Sequence, residues 1–319
     1  MGTDVVVLLD GVRGATARAA VEGYVVDRLE HLEARWSRFR PTSDVSVLNA
    51  AGAHPVVVAP ETFELITRAL DAWRVTDGAF DPTVLTALVG AGYDRDFDSV
   101  GLDGPALVER GAPAPGCADI ELDAVVGAIR LPPGVAIDLG GIGKGRAADL
   151  LASELLANEA FADESTHEST IHSSGATGVL VDLGGDLRVA GEPPVQGSAD
   201  ERTWVIAIDD PLGTGATGRL SLAEGGVATS SRLRRHWTRG GVDVHHLIDP
   251  RTGTPAASGL ASVTVVAGSA CHAEVVAKAA FVLGPRGGAD LVARLGLTGV
   301  MVHDDGRIDD LPGVAAFRA

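Results

Sequence analysis

The sequence predicts an α+β fold in which mixed or antiparallel sheets are flanked by helices. Apolar residues recur at helical spacing in some segments and form short apolar runs in others. The two kinds of segment alternate irregularly, and several strands are joined by turns rather than by helices. No linker divides the 319 residues, of which 45% are hydrophobic. We therefore expect a single globular domain over residues 1–319.

The first half is predicted to hold three helices and several strands. Residues 5–9 are a short apolar run typical of a strand, and residues 21–36 place apolar side chains at helical spacing. A second helix begins near Pro60, and the Gly and Pro of residues 76–83 interrupt it. Residues 91–133 indicate turns with short strands, followed by a strand over residues 135–137. A third helix follows Lys144, with Ala147, Leu151 and Leu155 facing inward.

The second half is predicted to be strand-rich. Residues 158–177 contain two Glu-Ser-Thr copies and few apolar residues, which indicates a mobile surface insertion. Two helices are expected, one over residues 270–283 and one around Leu291. The predicted strands cover residues 178–183, 203–208, 244–248, 262–267 and 299–303.

Charge and composition exclude several classes of protein. The net charge of −17 disfavours nucleic acid and anionic lipid as partners, so an anionic ligand must be held by local groups. The apolar runs are too short to span a bilayer, and the start has no basic segment followed by a long apolar one. Two cysteines in unlike contexts do not form a disulfide framework. We expect a cytoplasmic protein without membrane insertion.

Residues 136–146 read Ala-Ile-Asp-Leu-Gly-Gly-Ile-Gly-Lys-Gly-Arg, a glycine-rich turn that leads into a helix. Glycines let the backbone approach an anion or adopt positive φ, and the helix start and Lys144 supply positive charge. A P-loop would need Gly at Asp138 and Ser or Thr at Gly145, and the dinucleotide spacing is also absent. The segment indicates a phosphate site of another kind, or a plain strand-to-helix turn.

Further motifs accompany this loop in a fixed order. They are Met-Gly-Thr at 1–3, Ser-Asp-Val-Ser-Val-Leu-Asn at 43–49, Asp-Gly-Ala-Phe-Asp-Pro-Thr at 77–83, Asp-Leu-Gly-Gly-Asp at 182–186, Ala-Thr-Ser-Ser at 228–231, His-His-Leu-Ile-Asp-Pro-Arg-Thr-Gly at 245–253 and Ser-Val-Thr-Val-Val-Ala at 262–267. The ordered series resembles the ApbE family of FAD:protein FMN transferases, from Met1 to about Gly306. The resemblance implies an ApbE-like fold related to the T-fold.

The same resemblance implies an activity, a substrate and a partner. The enzyme would take FAD, cleave its pyrophosphate and attach FMN through a phosphoester to a Thr or Ser hydroxyl of a partner flavoprotein, with release of AMP. The acceptor would carry a motif similar to Ser/Thr-Gly-Ala-Thr/Ser, and Mg²⁺ would be the metal. An FAD pyrophosphatase, with water as acceptor, and an FAD-binding protein without turnover remain alternatives.

The resemblance also assigns residues, each of which has a structural alternative as a turn former, cap or exposed side chain. Lys144 would neutralise the pyrophosphate. The residues expected at the FAD site are Met1, Asn49, Ala79, Phe80, Asp81, Asp138, Lys144, Asp186, Thr229 and Ile248.

His246 and Asp249 are the candidates for assisting proton removal from the acceptor hydroxyl. Histidine is a natural base near neutral pH, and strand alternation places His245 and His246 on opposite faces, so at most one enters the site. We favour His246. Both histidines could instead form turn hydrogen bonds, and Asp249 could be a turn former.

The expected metal site departs from the family. The resemblance implies ligands at Gly141, through its carbonyl, and at positions 274 and 278, where members carry Asp and Thr. Here these residues are Glu274 and Lys278, four apart on one helical face. Glu274 suits magnesium, whereas a protonated Lys278 cannot coordinate it. Either Lys278 partly replaces the metal, or the two residues form a plain ion pair and the metal finds other oxygens.

The chain itself contains Ser-Gly-Ala-Thr at 174–177, which is similar to the acceptor motif. Thr177 could therefore be a site of self-modification. Alternatively, the segment is a turn before a strand, since small residues are abundant and the usual upstream Asp is missing.

Overall fold

The structure, a computed structural model, describes residues 2–12, 14–100, 103–104, 111–157, 176–194, 202–213 and 215–319. Most of the predicted insertion and Met1 lie outside these residues. Helices and antiparallel sheets make up the described part, so the predicted α+β class is confirmed.

The four longest α-helices coincide with predicted helices, and the two shortest were not predicted. A Ser43 side chain that accepts a hydrogen bond from the Ser46 amide caps one of the short ones. The helices are α1 (Ala15–Trp36), α2 (Asp44–Ala50), α3 (Pro60–Val75), α4 (Leu85–Gly90), α5 (Gly143–Ala157) and α6 (Ala270–Arg294). Helix α6 is kinked at Gly284 (φ 74°), directly before Pro285, which matches the two helices expected there.

A seven-stranded sheet is the centre of the fold, and every neighbouring pair in it is antiparallel. The strands are, in spatial order, β1 (Val5–Asp10), β6 (Gly178–Leu183), β7 (Asp186–Gly191), β10 (Gly225–Ser231), β15 (Leu260–Ala267), β16 (Thr298–His303) and β17 (Ile308–Asp310). Strands β7 and β10 were not predicted, because their glycines and polar residues weaken the strand pattern.

The two faces of this sheet are covered differently. Side chains of Val179 and Val181 face the large core that α5 and α6 share, whereas Leu180 between them packs in a second cluster. The hairpin of β8 (Trp204–Asp209) and β9 (Ala216–Leu222) supplies five of the eleven described buried residues of that second cluster. Both faces are therefore apolar, which explains the nearly continuous apolar runs of β6 and β15.

The remaining strands form small separate sheets. One sheet contains β12 (Val242–His245), β11 (His236–Arg239) and β3 (Asp103–Gly104), and a hairpin pairs β13 (Ile248–Asp249) with β14 (Thr254–Pro255). Another contains β2 (Val56–Val57), β5 (Ala128–Arg130) and β4 (Glu121–Asp123). The strand predicted over residues 244–248 is thus divided between β12 and β13.

Residues 135–137 do not form the predicted strand, although Ile137 is fully buried. The Asn49 side chain takes the place of a neighbouring strand, because its amide donates to the Ile137 carbonyl (2.9 Å) and accepts from the Ile137 amide (2.8 Å). A side chain that satisfies both backbone groups removes the need for a ladder partner. Asn49 therefore fixes the segment that enters the glycine loop.

No helix in the part of the chain that the structure describes is both long and apolar enough to cross a bilayer.

The Asn49 contact predicts a loss of stability. We expect Asn49→Ala to lower the free energy of unfolding by about 1–3 kcal/mol, because the buried backbone groups of Ile137 lose their partners. Urea unfolding without ligand measures this. The control Val47→Ala, at an exposed position of α2, should change the unfolding free energy by less than about 0.5 kcal/mol. If Asn49→Ala left the free energy of unfolding unchanged, the Asn49 side chain would not be needed to hold Ile137 and could contact a ligand instead.

Candidate active site

Two adjoining cavities lie beside the glycine loop and share one wall. The first is mainly apolar and has a volume of about 160 Å³, and the second is mainly polar and has a volume of about 440 Å³. The shared wall consists of Gly2, Phe97, Gly140, Lys144, Arg235, His246 and Lys278. Four of these side chains carry nitrogen, so the junction of the cavities is suited to an anion.

Aromatic rings line the apolar cavity. Tyr93 lies 5.8 Å from Phe39 and 6.0 Å from Phe97 between ring centroids, and Trp237 packs behind it at 5.7 Å. The Arg38 guanidinium lies 4.7 Å from the Tyr93 ring centroid. Flat apolar walls of this kind accept a flat aromatic ligand by stacking.

Arg38 and Asp138 form a buried ion pair at the rim of the apolar cavity. The distance from Arg38 Nε to Asp138 Oδ2 is 2.8 Å, and the side chains are only 8% and 12% exposed. Asp138 also accepts a hydrogen bond from the Gly140 amide, at 2.5 Å. The pair therefore holds the glycine loop against the end of α1.

The glycines of the loop are required by close approach rather than by positive φ. An added Cβ at Gly145 would lie 2.5 Å from the Ala270 carbonyl oxygen, and one at Gly141 would lie 2.7 Å from Lys278 Nζ. Neither residue has a positive φ, so this part of the expectation was wrong. The glycines allow α5 and α6 to meet and leave room for the lysine.

The loop amides are already used within the protein. The Gly140 amide donates to Asp138, the amides of Ile142 and Gly143 donate to the Leu139 carbonyl, and the Gly145 amide donates to Glu274 Oε2 at 2.8 Å. The expected cradle of free amides is therefore not available at these four positions. Side-chain cations must carry most of the attraction for an anion here.

Lys144 lies between two buried carboxylates. Its ammonium forms ion pairs with Asp186 and with Glu274 Oε1, the latter at 3.2 Å, and both carboxylate side chains are 3% exposed. Burial lowers the pKa of Lys144 against the attraction of Glu274, and the nearby charges of Lys278 and Arg235 lower it further. A bound anion would oppose this shift.

Lys278 and Arg235 hold the uncommitted positive charge of the junction. No carboxylate among the described residues lies within ion-pair distance of either group. Arg235 donates to two neutral oxygens, the Tyr93 hydroxyl at 3.1 Å and the Gly2 carbonyl at 3.2 Å. Burial lowers the pKa of Lys278, against attraction by Glu274 and Asp138. An anionic ligand would satisfy both cations.

His246 borders both cavities, whereas His245 borders neither. His246 Nδ1 lies 3.2 Å from the Arg235 carbonyl oxygen. A carbonyl oxygen only accepts, so Nδ1 carries the proton and Nε2 keeps its lone pair in the neutral ring. Burial, together with Lys278 and Arg235, holds the pKa of His246 well below its ordinary value. The His246 ring is therefore neutral at neutral pH, with Nε2 as its acceptor nitrogen.

His245 is buried in the core, where its ring packs edge-on against Phe281 at 6.0 Å between centroids. Its Nδ1 accepts the Leu247 amide hydrogen at 3.2 Å. Burial lowers its pKa to about 4. The two neighbouring histidines thus have a structural and a site-facing position, although His246 lies in the bend between β12 and β13 rather than in a strand.

Asp249 is bound to its own turn. Its carboxylate accepts hydrogen bonds from Arg251, from the backbone amide and Nε at 2.9 Å and from Nη2 at 2.8 Å. Burial raises the pKa of Asp249, but the Arg251 hydrogen bonds outweigh this and hold it below its ordinary value. Asp249 lines neither cavity, which leaves His246 as the base candidate that the geometry supports.

The structure brings together most of the residues expected from the sequence. Asn49 and Asp249 line neither cavity, and Met1 lies outside the described residues. The expected residues at the cavities are Ala79, Phe80, Asp81, Asp138, Gly141, Lys144, Asp186, Thr229, His246, Ile248, Glu274 and Lys278.

The donor set does not fit a magnesium site. Both Glu274 oxygens already accept hydrogen bonds, and the ammonium of Lys278 lies against Gly141, where a metal ligand was expected. The described residues contain no group of three or more His, Cys, Asp or Glu that could hold a metal. Magnesium prefers several oxygen ligands and is repelled by adjacent ammonium groups.

Sequence reasoning missed four residues that line the cavities, Arg38, Tyr93, Phe97 and Arg235. Tyr93 and Phe97 lie in a segment rich in Asp and Gly that indicated only turns, and Arg235 follows Arg232 and Arg234 in a basic run. The sequence signal that could have indicated Arg235 was this basic run in a strongly acidic chain.

The chain belongs to the ApbE family, whose sequence profile matches residues 1–301. It is 32% identical over 313 residues to the FAD:protein FMN transferase of Treponema pallidum. This alignment covers 94% of this chain and 81% of that protein. It is 29% identical to the FAD:protein FMN transferase of Rhodobacter capsulatus, across 99% of this chain and 56% of that protein. The chain thus spans little more than half of the R. capsulatus relative.

Solved structures have the same fold. The ApbE protein of Thermotoga maritima superposes with a TM-score of 0.81 at 28% identity, covering 100% of this chain and 96% of that one. The flavin transferase ApbE of Vibrio cholerae gives 0.74 at 22% identity, with 99% and 96% covered. The second likeness shows the fold alone.

The depressed pKa of His245 predicts a loss of stability in acid. The unfolded state binds a proton near pH 6.5 and the folded state only near pH 4. Stability should therefore fall as the pH drops from 6.5 to 4, by up to about 1.4 kcal/mol per pH unit from this residue. His245→Asn keeps an acceptor for the Leu247 amide but cannot titrate. Urea unfolding at pH 7.5, 6 and 5 should give a smaller slope for this variant, and equal slopes would contradict the assignment.

Proposed function

We propose that the protein transfers FMN from FAD to a Ser or Thr hydroxyl of a partner protein through a phosphoester bond and releases AMP. The single observation that carries the proposal is His246, which borders both cavities and whose Nδ1 contact with the Arg235 carbonyl leaves Nε2 as the acceptor nitrogen. FAD has both required parts, flat aromatic rings and a pyrophosphate. The relatives named FAD:protein FMN transferases support the same reaction.

An aromatic ring system of FAD occupies the apolar cavity, between Tyr93, Phe97 and the segment of residues 79–81. The pyrophosphate then lies at the junction, near Lys278 and Arg235. The wider polar cavity, which Thr229 and Ser230 border, admits the acceptor hydroxyl. This order places the acceptor, the phosphorus and the cations along one path.

At the FMN phosphorus, the reaction forms one bond to oxygen and breaks another. His246 Nε2 takes the proton from the acceptor hydroxyl, and the oxygen attacks the FMN phosphorus. The bond from that phosphorus to the bridging oxygen breaks, and AMP leaves with the bridging oxygen and its electron pair. Charge that grows on the leaving phosphate is stabilised by the cations of the junction, which are fixed in place before the reaction.

The His246 assignment predicts a selective loss of transfer. His246→Asn should reduce FMN transfer by about 10²–10⁴-fold, because the base is absent, and should leave FAD affinity within about threefold because the contact to Arg235 can be kept. Mass spectrometry of a synthetic peptide containing Ser-Gly-Ala-Thr detects the FMN adduct, and chromatography detects AMP. Calorimetry measures FAD affinity.

Asp249→Asn is the matched comparison, since this carboxylate lines neither cavity. It should retain transfer. Loss of transfer in Asp249→Asn with full activity in His246→Asn would assign the base to Asp249. Free FMN without a labelled peptide would instead support a pyrophosphatase, and bound FAD without AMP would support a carrier.

Thr177 lies at the start of β6, where the sheet fixes its backbone. Its amide donates to the Asp10 carbonyl at 2.9 Å, and its carbonyl accepts from the Glu192 amide at 2.7 Å. Thr177 borders neither cavity. These contacts disfavour Thr177 as the acceptor, whereas Ser174 and Gly175 lie outside the described residues. We propose an acceptor on a separate protein that carries a Ser/Thr-Gly-Ala-Thr/Ser-like motif.

Self-modification can be tested directly. We expect the intact mass of the protein to stay unchanged after incubation with FAD and Mg²⁺, because the Thr177 backbone is hydrogen-bonded on both sides and the residue borders neither cavity. A mass increase of one FMN that disappears in Thr177→Ala would contradict this expectation. An increase that persists in Thr177→Ala would place the modification on another hydroxyl.

A further inference from the structure

We propose that Lys278 is a built-in cation that takes the place of a divalent metal, so that this protein binds the FAD pyrophosphate without magnesium. The inference rests on the proposed function, because it concerns how the same site holds FAD. It starts from the disagreement between the donor set and a metal site.

The first argument is the charge around Lys144. One ammonium is shared by the carboxylates of Asp186 and Glu274, so this cluster alone is net negative. Such a cluster repels a pyrophosphate, which carries about two negative charges. A further positive charge is needed next to it before the anion can bind.

The second argument is the position of Lys278. Its ammonium lies beside Gly141 and borders both cavities, at the junction where the pyrophosphate is proposed to lie. It is four residues after Glu274 on α6, so both side chains leave the same face of the helix. No carboxylate of the described residues pairs with it. Its charge is therefore available to the ligand.

The third argument is that the Glu274 carboxylate already makes two contacts within the protein. It accepts from the Gly145 amide at 2.8 Å and from Lys144 at 3.2 Å. A metal would have to compete with both contacts and would approach two ammonium groups. Lys278 and Arg235 together supply two positive charges to the pyrophosphate, which is the charge a divalent ion would bring.

FAD binding with and without metal tests the proposal. Calorimetry in EDTA should give the wild-type protein an FAD dissociation constant within about threefold of the value in Mg²⁺. Lys278→Met, which keeps most of the side-chain length but not the charge, should bind FAD about 10- to 100-fold more weakly in EDTA, as expected for a lost charge-assisted contact. Lys278→Arg should retain binding within about fivefold. Melting temperatures confirm that the variants fold.

Lys278→Thr provides the decisive comparison, since it offers a neutral oxygen in place of the ammonium. Its FAD affinity should be weak in EDTA and should recover at least about tenfold in Mg²⁺. The proposal is overturned if the wild-type protein needs Mg²⁺ as strictly as Lys278→Thr. It is also overturned if Lys278→Met and the wild type bind FAD equally in EDTA.

The two proposals fail in different ways. Tight FAD binding that requires Mg²⁺ would remove the metal-replacement inference and leave the transfer reaction intact. Absence of FAD binding in both EDTA and Mg²⁺ would remove the proposed function and this inference together.

Discussion

The structure depends on a reciprocal connection between the N-terminal ends of α5 and α6. Asp149 of α5 accepts hydrogen bonds from the first amides of α6, Ala270 at 2.9 Å and Cys271 at 3.0 Å. Glu274 of α6 in turn accepts the Gly145 amide of α5 at 2.8 Å. Each helix supplies the carboxylate that satisfies the other helix start, where the macrodipole favours negative charge. The backbones can come this close only because residue 145 has no Cβ.

This connection determines the electrostatics of the site. The start of α5 and the buried Lys144 both favour negative charge, which Glu274 and Asp186 provide. The structural carboxylates therefore neutralise the lysine of the glycine loop. The cations that remain for a ligand are on other elements, Lys278 one turn along α6 and Arg235 before β11. The glycine loop positions the ligand site, and these two side chains supply its charge.

The sequence predicted regular elements better than side-chain contacts. Long helices and apolar strands follow local periodicity, so α1, α3, α5, β6 and β15 could be predicted. Val135 to Ile137 could not, because the partner that replaces a strand there is the side chain of Asn49, 88 residues away. The same limit applies to Lys144. The sequence showed that Lys144 lies in a motif suited to phosphate binding. It did not show which carboxylates pair with the ammonium, because tertiary packing brings them there.

A strongly acidic protein can still hold an anion at the cationic junction, because salt screens the repulsion from distant exposed charges. With a net charge of −17, long-range attraction does not draw FAD to the protein. Screening reduces interactions between exposed charges beyond about 8 Å at physiological ionic strength, whereas buried charges are screened much less. Lys278 and Arg235 are half-buried at the wall shared by the cavities. The apolar cavity and the cationic junction together therefore suit a ligand that carries both an aromatic ring and an anionic group.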